Sequence, residues 1–333
     1  GHMGEEKDLI VRAMAGFCGH PNVGGVLLVG LGCELITPQL VAAAMPPGGR
    51  LEMLSIQAEG GTNGAVRKGV ELATRLLAGA AEDRREPVDI SELIVGTNCG
   101  GSDTLSGLTA NPALGAAADR FVGEGGTVIL SETPELIGAE HVLARRAVDD
   151  TVRRRIYEIT AATEELAMKA GVDIRNSEPS PGNKEGGLTT LEEKSLGAIL
   201  KGGTSPVRQV VGYAERPAER GLVIMDSPAH DAVCNTGMVA GGAQVIVFTT
   251  GRGTPLGAPT APVLKVSSNS GVYGRMSDNI DMDAGVILDG TATVAEMGEA
   301  LFQEIVAVAS GRLTKAELLG HGEFAIHSLG LNV

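Results

Sequence analysis

Apolar residues recur with two different periods along this chain, and the alternation of the two predicts its architecture. Val23-Gly24-Gly25-Val26-Leu27-Leu28-Val29-Gly30 is almost continuously apolar and ends in glycine, the form of a strand buried on both faces of a parallel sheet. Leu51 to Ile56 reads as a second strand, and Pro38 to Met45 as a short helix broken by Pro46-Pro47-Gly48-Gly49. From Gly64 to Ala80, Val66, Val70, Ala73 and Leu77 recur at three and four positions, which places them on one helix face. Together these segments make a βαβα unit.

After the charged stretch Ala81 to Glu86 the pattern restarts. Leu93-Ile94-Val95-Gly96, Thr127-Val128-Ile129-Leu130, Leu222-Val223-Ile224-Met225, Gln244 to Phe248 and Val263 to Val266 predict further strands. A long helical tract is expected from Ile137 to Ala170, with Val152, Ile156, Ile159 and Leu166 on one stripe. Its Arg145, Arg146, Arg153, Arg154 and Arg155 are expected on the solvated face, and Val294 to Ser310 predicts another amphipathic helix. Asn176 to Gly187 reads as a linker. The expected fold is α/β, with mostly parallel sheets in Rossmann-like layers. Gly1-His2-Met3 reads as an expression scar, residues 4–86 as a smaller α/β domain truncated at its N-terminus, and residues 87–333 as a larger α/β domain carrying the chemistry.

Composition narrows the function. The 27 Lys and Arg residues against 41 Asp and Glu give a net charge of −14, the wrong sign for binding nucleic acid or an anionic membrane surface. No apolar run is long enough to span a bilayer. With no Trp, three Tyr and five Phe, stacking surfaces for bases or sugars are nearly absent, so the core is aliphatic. The 48 glycines show no Gly-X-Y period and act as punctuation within a folded chain. Cys18, Cys33, Cys99 and Cys234 are widely spaced, which points to a reducing cytoplasm.

Ligands of parallel α/β sheets bind beyond the carboxyl ends of the strands, and there this sequence is unusually polar. Thr97-Asn98-Cys99-Gly100-Gly101-Ser102-Asp103 follows one predicted strand, and Ser131-Glu132-Thr133-Pro134-Glu135 another. Asp226-Ser227-Pro228-Ala229-His230-Asp231 and Thr249-Thr250-Gly251-Arg252-Gly253 follow two more, and Asn269 lies beyond Val266. Surface loops are polar by location, but a thiol, carboxylates and a guanidinium distributed over these ends favour a site. Carboxylates with a thiol suit a divalent metal, Fe or Zn more than Mg. His230 and Cys234 are four apart, yet Pro228 and Asn235-Thr236-Gly237 argue against a continuous helix there. Gly30-Leu31-Gly32-Cys33 lacks the third glycine of a dinucleotide fingerprint and no Walker A sequence occurs, so no nucleotide cofactor is expected.

The stretch Pro181-Gly182-Asn183-Lys184-Glu185-Gly186-Gly187, continuing to Lys194, combines glycines with lysines and suits a bound carboxylate. Thr189 or Thr190 capping a helix from Leu191 explains part of the same stretch, and both readings can hold. Cys33 is as suited to a small buried role as to a functional one, Cys18 and Cys234 suit structural roles, and a turn role is expected for His20.

Taken in order, Gly25 to Glu34, Cys99-Gly100-Gly101-Ser102-Asp103, Ser131 to Glu135, the Pro-Gly-Asn-Lys stretch, Thr249 to Gly253 and Asp281-Met282-Asp283-Ala284-Gly285 resemble the altronate/galactarate dehydratase family. The resemblance spans nearly the whole chain. It implies a carbon–oxygen hydro-lyase of sugar acids that depends on a divalent metal, Fe(II), and forms a 2-keto-3-deoxy acid by β-elimination. Some relatives are sulfolactate sulfo-lyases that release sulfite. It also implies an additional small N-terminal domain or partner subunit. On this basis Lys184, Lys194, Glu132 and Asp103 are candidate catalytic residues. Arg252, Asn183, Gly186, Ser102 and Asn269 are candidates for binding the small acidic substrate, and Cys99, Asp226 and Glu132 for the metal, with Asp281 and Asp283 more remote. A homo-oligomer is one possible assembly, and a non-catalytic carboxylate-binding subunit is the contrasting reading.

Overall fold

A computed structural model describes residues 2–328; apart from the helical backbone of His2 and Met3, the expected N-terminal scar lies outside the described residues. Two separate sheets form. The first pairs β1 (Val26–Gly30) in parallel with β2 (Leu51–Ser55). The second contains seven strands, β3 (Ile94–Gly100), β4 (Thr127–Leu130), β5 (Val207–Val211), β6 (Gly221–Met225), β7 (Val245–Thr250), β8 (Val263–Ser267) and β9 (Met282–Asp283). Its order is β5-β6-β4-β3-β7-β8-β9, with every pairing parallel. The fold is thus layered α/β.

Alternate side chains of the large sheet feed two cores, as the twofold strand period requires. Val95, Val128, Leu130, Ile224, Val247 and Val266 pack beneath helices Ala110–Gly123, Asp150–Lys169 and Val294–Ala309. Ile94, Ile129, Val223, Ile246 and Phe248 face helix Asp231–Ala240 on the other side. Every residue of β3, β4, β6, β7 and β8 is buried, which explains the apolar runs in their sequences; the polar residues among them, such as Asn98, Thr249 and Lys265, are buried too.

Several expectations are corrected. The tract from Ile137 divides into helices Glu140–Ala144 and Asp150–Lys169, because Asp149 accepts a hydrogen bond from Val152 N and caps a new start. Arg146 leaves the solvated face to donate to the Ser205 and Gly202 carbonyls. Helix Asp231–Ala240 runs straight through Asn235-Thr236-Gly237. Gly237 is needed there for packing, since a Cβ would lie 2.4 Å from the Tyr213 ring. The linker contains a short helix, Pro181–Glu185, closed by a capping box between Ser180 and Asn183. In helix Thr62–Ala80 the buried residues are Ala65 and Leu72, while Val66, Val70 and Leu77 are exposed. Among the described residues no helix is long and apolar enough to cross a membrane.

Candidate functional site

The chain leaves β3 toward β4 on one side of the sheet, and from β6 it crosses to β7 on the other. The carboxyl ends of β3 and β7 therefore border a topological switch point, where parallel α/β sheets bind ligands. A cavity of about 420 Å³ lies there, lined among others by Cys99, Ser102, Glu135, Asn183, Lys194 and Arg252.

Its floor is a buried ionic cluster. Glu132 follows β4 in the left-handed region, φ 71°, a conformation costly for a residue with a side chain and frequent at functional positions. Ser227 Oγ accepts from its backbone N–H at 3.0 Å. Glu132 Oε2 accepts from Cys99 N at 3.0 Å and from Lys201 Nζ at 2.5 Å. Lys201, on the turn Ile199–Gly202, also donates to Cys99 Sγ at 2.7 Å and is fully buried. Cys99 Sγ donates to Glu135 Oε2 at 2.8 Å. Lys194 bridges Glu135 at 3.2 Å and Glu178 at 2.9 Å.

Burial sets the electrostatics. It pushes Glu132 up to about 8, with Glu135 adding to the effect and Lys201 opposing it. It raises the Cys99 thiol as well, reinforced by Glu132 and Glu135 and opposed by Lys201. Burial by itself would lower Lys201, but Cys99, Glu132 and Glu135 outweigh it and hold the ammonium charged. Glu135 stays ionised because Lys194, Lys201 and the Cys99 hydrogen bond overcome its own burial. Asp231, at the start of its helix and lining the same cavity, is pushed up to about 6 by burial and by Glu135.

Cys99, Glu132 and Glu135 each offer a ligand atom, all within 4.8 Å of one another. Glu132 Oε1 is buried with no hydrogen-bond partner, the kind of atom an ion would satisfy. One sulfur and two carboxylates form a mixed donor set for a divalent metal, so the residues fit one. Asp226 lies outside this group, because its Oδ1 accepts from Thr133 Oγ1 at 2.7 Å; Glu135 stands in its place.

The other predicted residues divide. Lys194, Arg252, Asn183 and Ser102 reach the cavity. Arg252 spans its mouth through Nη1, to Gly182 O at 2.9 Å and Glu185 at 2.8 Å, which leaves its other nitrogens available to an anion. Asn183 Nδ2 is committed to Ser102 O. Lys184 is exposed and lines no part of this cavity. Asp103 serves as a structural hub, accepting from Ser106 and Ser268 on Oδ1 and from Asn269 on Oδ2. Asn269 is held by that bond and caps the following helix, and Gly186 O takes Thr104 N. Asp281 binds the Lys265 and Lys315 backbones, and Asp283 caps Gly285. His20 is buried in a turn, with Nδ1 accepting from Asn22 N and Nε2 donating to Ala243 O. Sequence reasoning did not select Lys201, Glu135, Glu178 or Asp231. Glu135 and Asp231 stood within the strand-end clusters, one position or a few from chosen residues.

An all-parallel α/β sheet with a buried thiol–carboxylate cluster beneath a cavity at its switch point defines the class: a layered α/β protein whose candidate site offers a donor set that fits a divalent metal. The comparisons narrow this further. Residues 90–332 match the model of D-galactarate/altronate dehydratase, C-terminal, and residues 1–81 that of D-galactarate dehydratase/altronate hydrolase, second domain. The chain belongs to the D-galactarate/altronate dehydratase family. Galactarate dehydratase (L-threo-forming) of Escherichia coli is 40% identical over 91% of this chain and 59% of its own length. Altronate dehydratase of Bacillus subtilis is 34% identical over 99% of the chain and 66% of its own length. The (2R)-sulfolactate sulfo-lyase subunit beta of Chromohalobacter salexigens is 37% identical over 98% of the chain and 84% of its own length. The chain thus spans less than two thirds of either dehydratase.

Proposed function

We propose that this chain is the catalytic part of a cytoplasmic lyase that removes water from a sugar acid by β-elimination, giving a 2-keto-3-deoxy acid. The observation that carries this reading is the cavity at the switch point, where Lys194 and Arg252 face an interior floored by Cys99 and Glu135 in a chain of net charge −14. Arg252, whose Nη1 alone is committed to Gly182 and Glu185, is the cation an anionic ligand would meet there. Arg252 takes the substrate carboxylate through the nitrogens not used on Gly182 and Glu185. Lys194, kept an ammonium by Glu135 and Glu178, attracts the acid's charge, and the Glu178 carboxylate beside it in the cavity lining accepts the α-proton. Lys201 balances the charge of Glu132 and keeps Cys99 and Glu135 in place. Cys99, Glu132 and Glu135 would hold a divalent ion, Fe(II) in the family reading, which supplies electrophilic stabilisation to charge growing on the carboxylate.

Sulfite loss is the second reading, supported by the 84% share of the sulfo-lyase subunit that the chain covers. The full-length protein, with any partner subunit, is to be assayed anaerobically with Fe(II) on aldonates, aldarates and 3-sulfolactate, following 2-keto acid and sulfite separately. Keto acid without sulfite is expected. Tight carboxylate binding with no turnover would overturn the reading in favour of a binding subunit. Cys99→Ala is expected to weaken metal retention by 10-fold or more, measured by metal analysis after dialysis.

A further inference from the structure

A base alone does not expel water. Hydroxide is a poor leaving group, so the β-oxygen must receive a proton as its bond to carbon breaks. Three carboxyl groups line the cavity, and two are committed. Glu135 accepts from Cys99 and pairs with Lys194. Glu178 accepts from Lys194 and from Ser180 N. The Asp231 carboxyl has no hydrogen-bond or ion-pair partner among the described residues, although its backbone carbonyl accepts from Asn98.

Its position is built into the scaffold. The carboxyl rests on the backbone of Gly100, the residue after Cys99, so closely that a Cβ at that position would lie 2.6 Å from Oδ2 and 2.9 Å from Oδ1. Only glycine at the end of β3 lets an acidic side chain lie flat there. Asn98 Nδ2 holds the start of the Asp231 helix from below, at 3.3 Å. A half-buried carboxyl with no partner holds a proton more readily than a solvated one.

We propose that Asp231 is the catalytic acid of this site, donating its proton to the departing β-hydroxyl. This rests on the dehydratase reading above. The α-proton passes to the Glu178 carboxylate in the same lining, and the C–H electron pair becomes the C=C bond. The C–O pair leaves with oxygen, which takes the Asp231 proton to form water. Asp231 is left as carboxylate and regains a proton from solvent, while Glu178 releases one. The enol then tautomerises to the 2-keto acid.

The leaving group supplies the test. Fluoride departs with little need of a proton, so the full-length enzyme and its Asp231→Asn variant are compared on galactarate or altronate and on the 3-deoxy-3-fluoro analogue of the same acid. We expect kcat on the hydroxy acid to fall about 10²–10⁴-fold, fluoride release to change less than about tenfold, and KM to stay within a few-fold. Gly100→Ala, which pushes the carboxyl away without removing it, is expected to reproduce the same leaving-group dependence. An equal loss on both substrates would make Asp231 a structural residue and overturn the assignment. So would undiminished hydroxy-acid turnover, and either result leaves the dehydratase reading standing. A wild-type enzyme that turns over no hydroxy acid overturns both.

Discussion

The two sheets of this molecule place their charges differently. Around β1 and β2 ion pairs lie in water: Arg50 with Asp83, Arg75 with Glu52, Lys68 with Glu71. In the seven-stranded sheet the Glu132–Lys201 pair is fully enclosed, and Lys194–Glu135 nearly so. Exposed pairs contribute little to stability, whereas a buried charge without its partner is severely destabilising. A two-stranded sheet cannot exclude water from both faces; its Val29 remains 54% exposed. The large sheet is covered on both sides, and only there can lysines and carboxylates be packed against a thiol at fixed distances. The lesson is that the chemistry sits where the scaffold is able to hold unscreened charge.

The strongest way to break this contrast is Lys201→Ala, which strands Glu132 in the interior and is expected to cost about 3–5 kcal/mol in urea unfolding. Combining Lys201→Met with Glu132→Gln should recover much of that loss; a single variant as stable as wild type would show that the enclosed pair is not under constraint. Next, Ile129→Ala in β4 should cost about 2–5 kcal/mol, while Val70→Ala on the exposed stripe of the small unit should stay within about 0.5 kcal/mol. Equal losses by thermal unfolding would mean that the stripe is covered.

His20 joins the two regions, and it gives a pH test. Burial lowers its pKa, outweighing the bond to Ala243, so the neutral ring belongs to the folded state. The stability it lends is complete above the ordinary histidine pKa of about 6.5 and declines as the pH falls below that toward the lowered value. His20→Gln should flatten this part of a stability–pH curve and cost about 1 kcal/mol at neutral pH. The smallest effect is expected for Lys184→Ala, which should leave kcat/KM within about twofold; a larger drop would return that side chain to the site.

Much of the scaffold was legible beforehand. β3, β4, β6, β7 and β8 are buried on both faces, so each carries an apolar run that marks it in the sequence. The edge strand β5, Val-Arg-Gln-Val-Val, is partly solvated and carries polar residues, which hid it, and β9 has only two residues. The stripe Val66, Val70, Leu77 has correct helical spacing, but the opposite face is the one that packs. Periodicity reports that a helix has an apolar side, not what lies against it.

The site was legible only in part, for a related reason. Cys99, Glu132, Lys194 and Arg252 announced themselves by following apolar strands or by standing among glycines. Lys201, in Ile-Leu-Lys-Gly, had no such local mark, because its role comes from Glu132 and Cys99, far from it along the chain.

By itself the sequence determined the parallel α/β scaffold, the sign of the charge and which loops could carry chemistry, since these follow from local apolar patterns and composition. Which carboxylate meets the thiol, Glu135 rather than Asp226, and which lysine lies between them, was decided only by the tertiary structure. Those pairings depend on distances between chain segments that share no local pattern, and on the exclusion of water that lets charges at 2.5–3.2 Å govern one another.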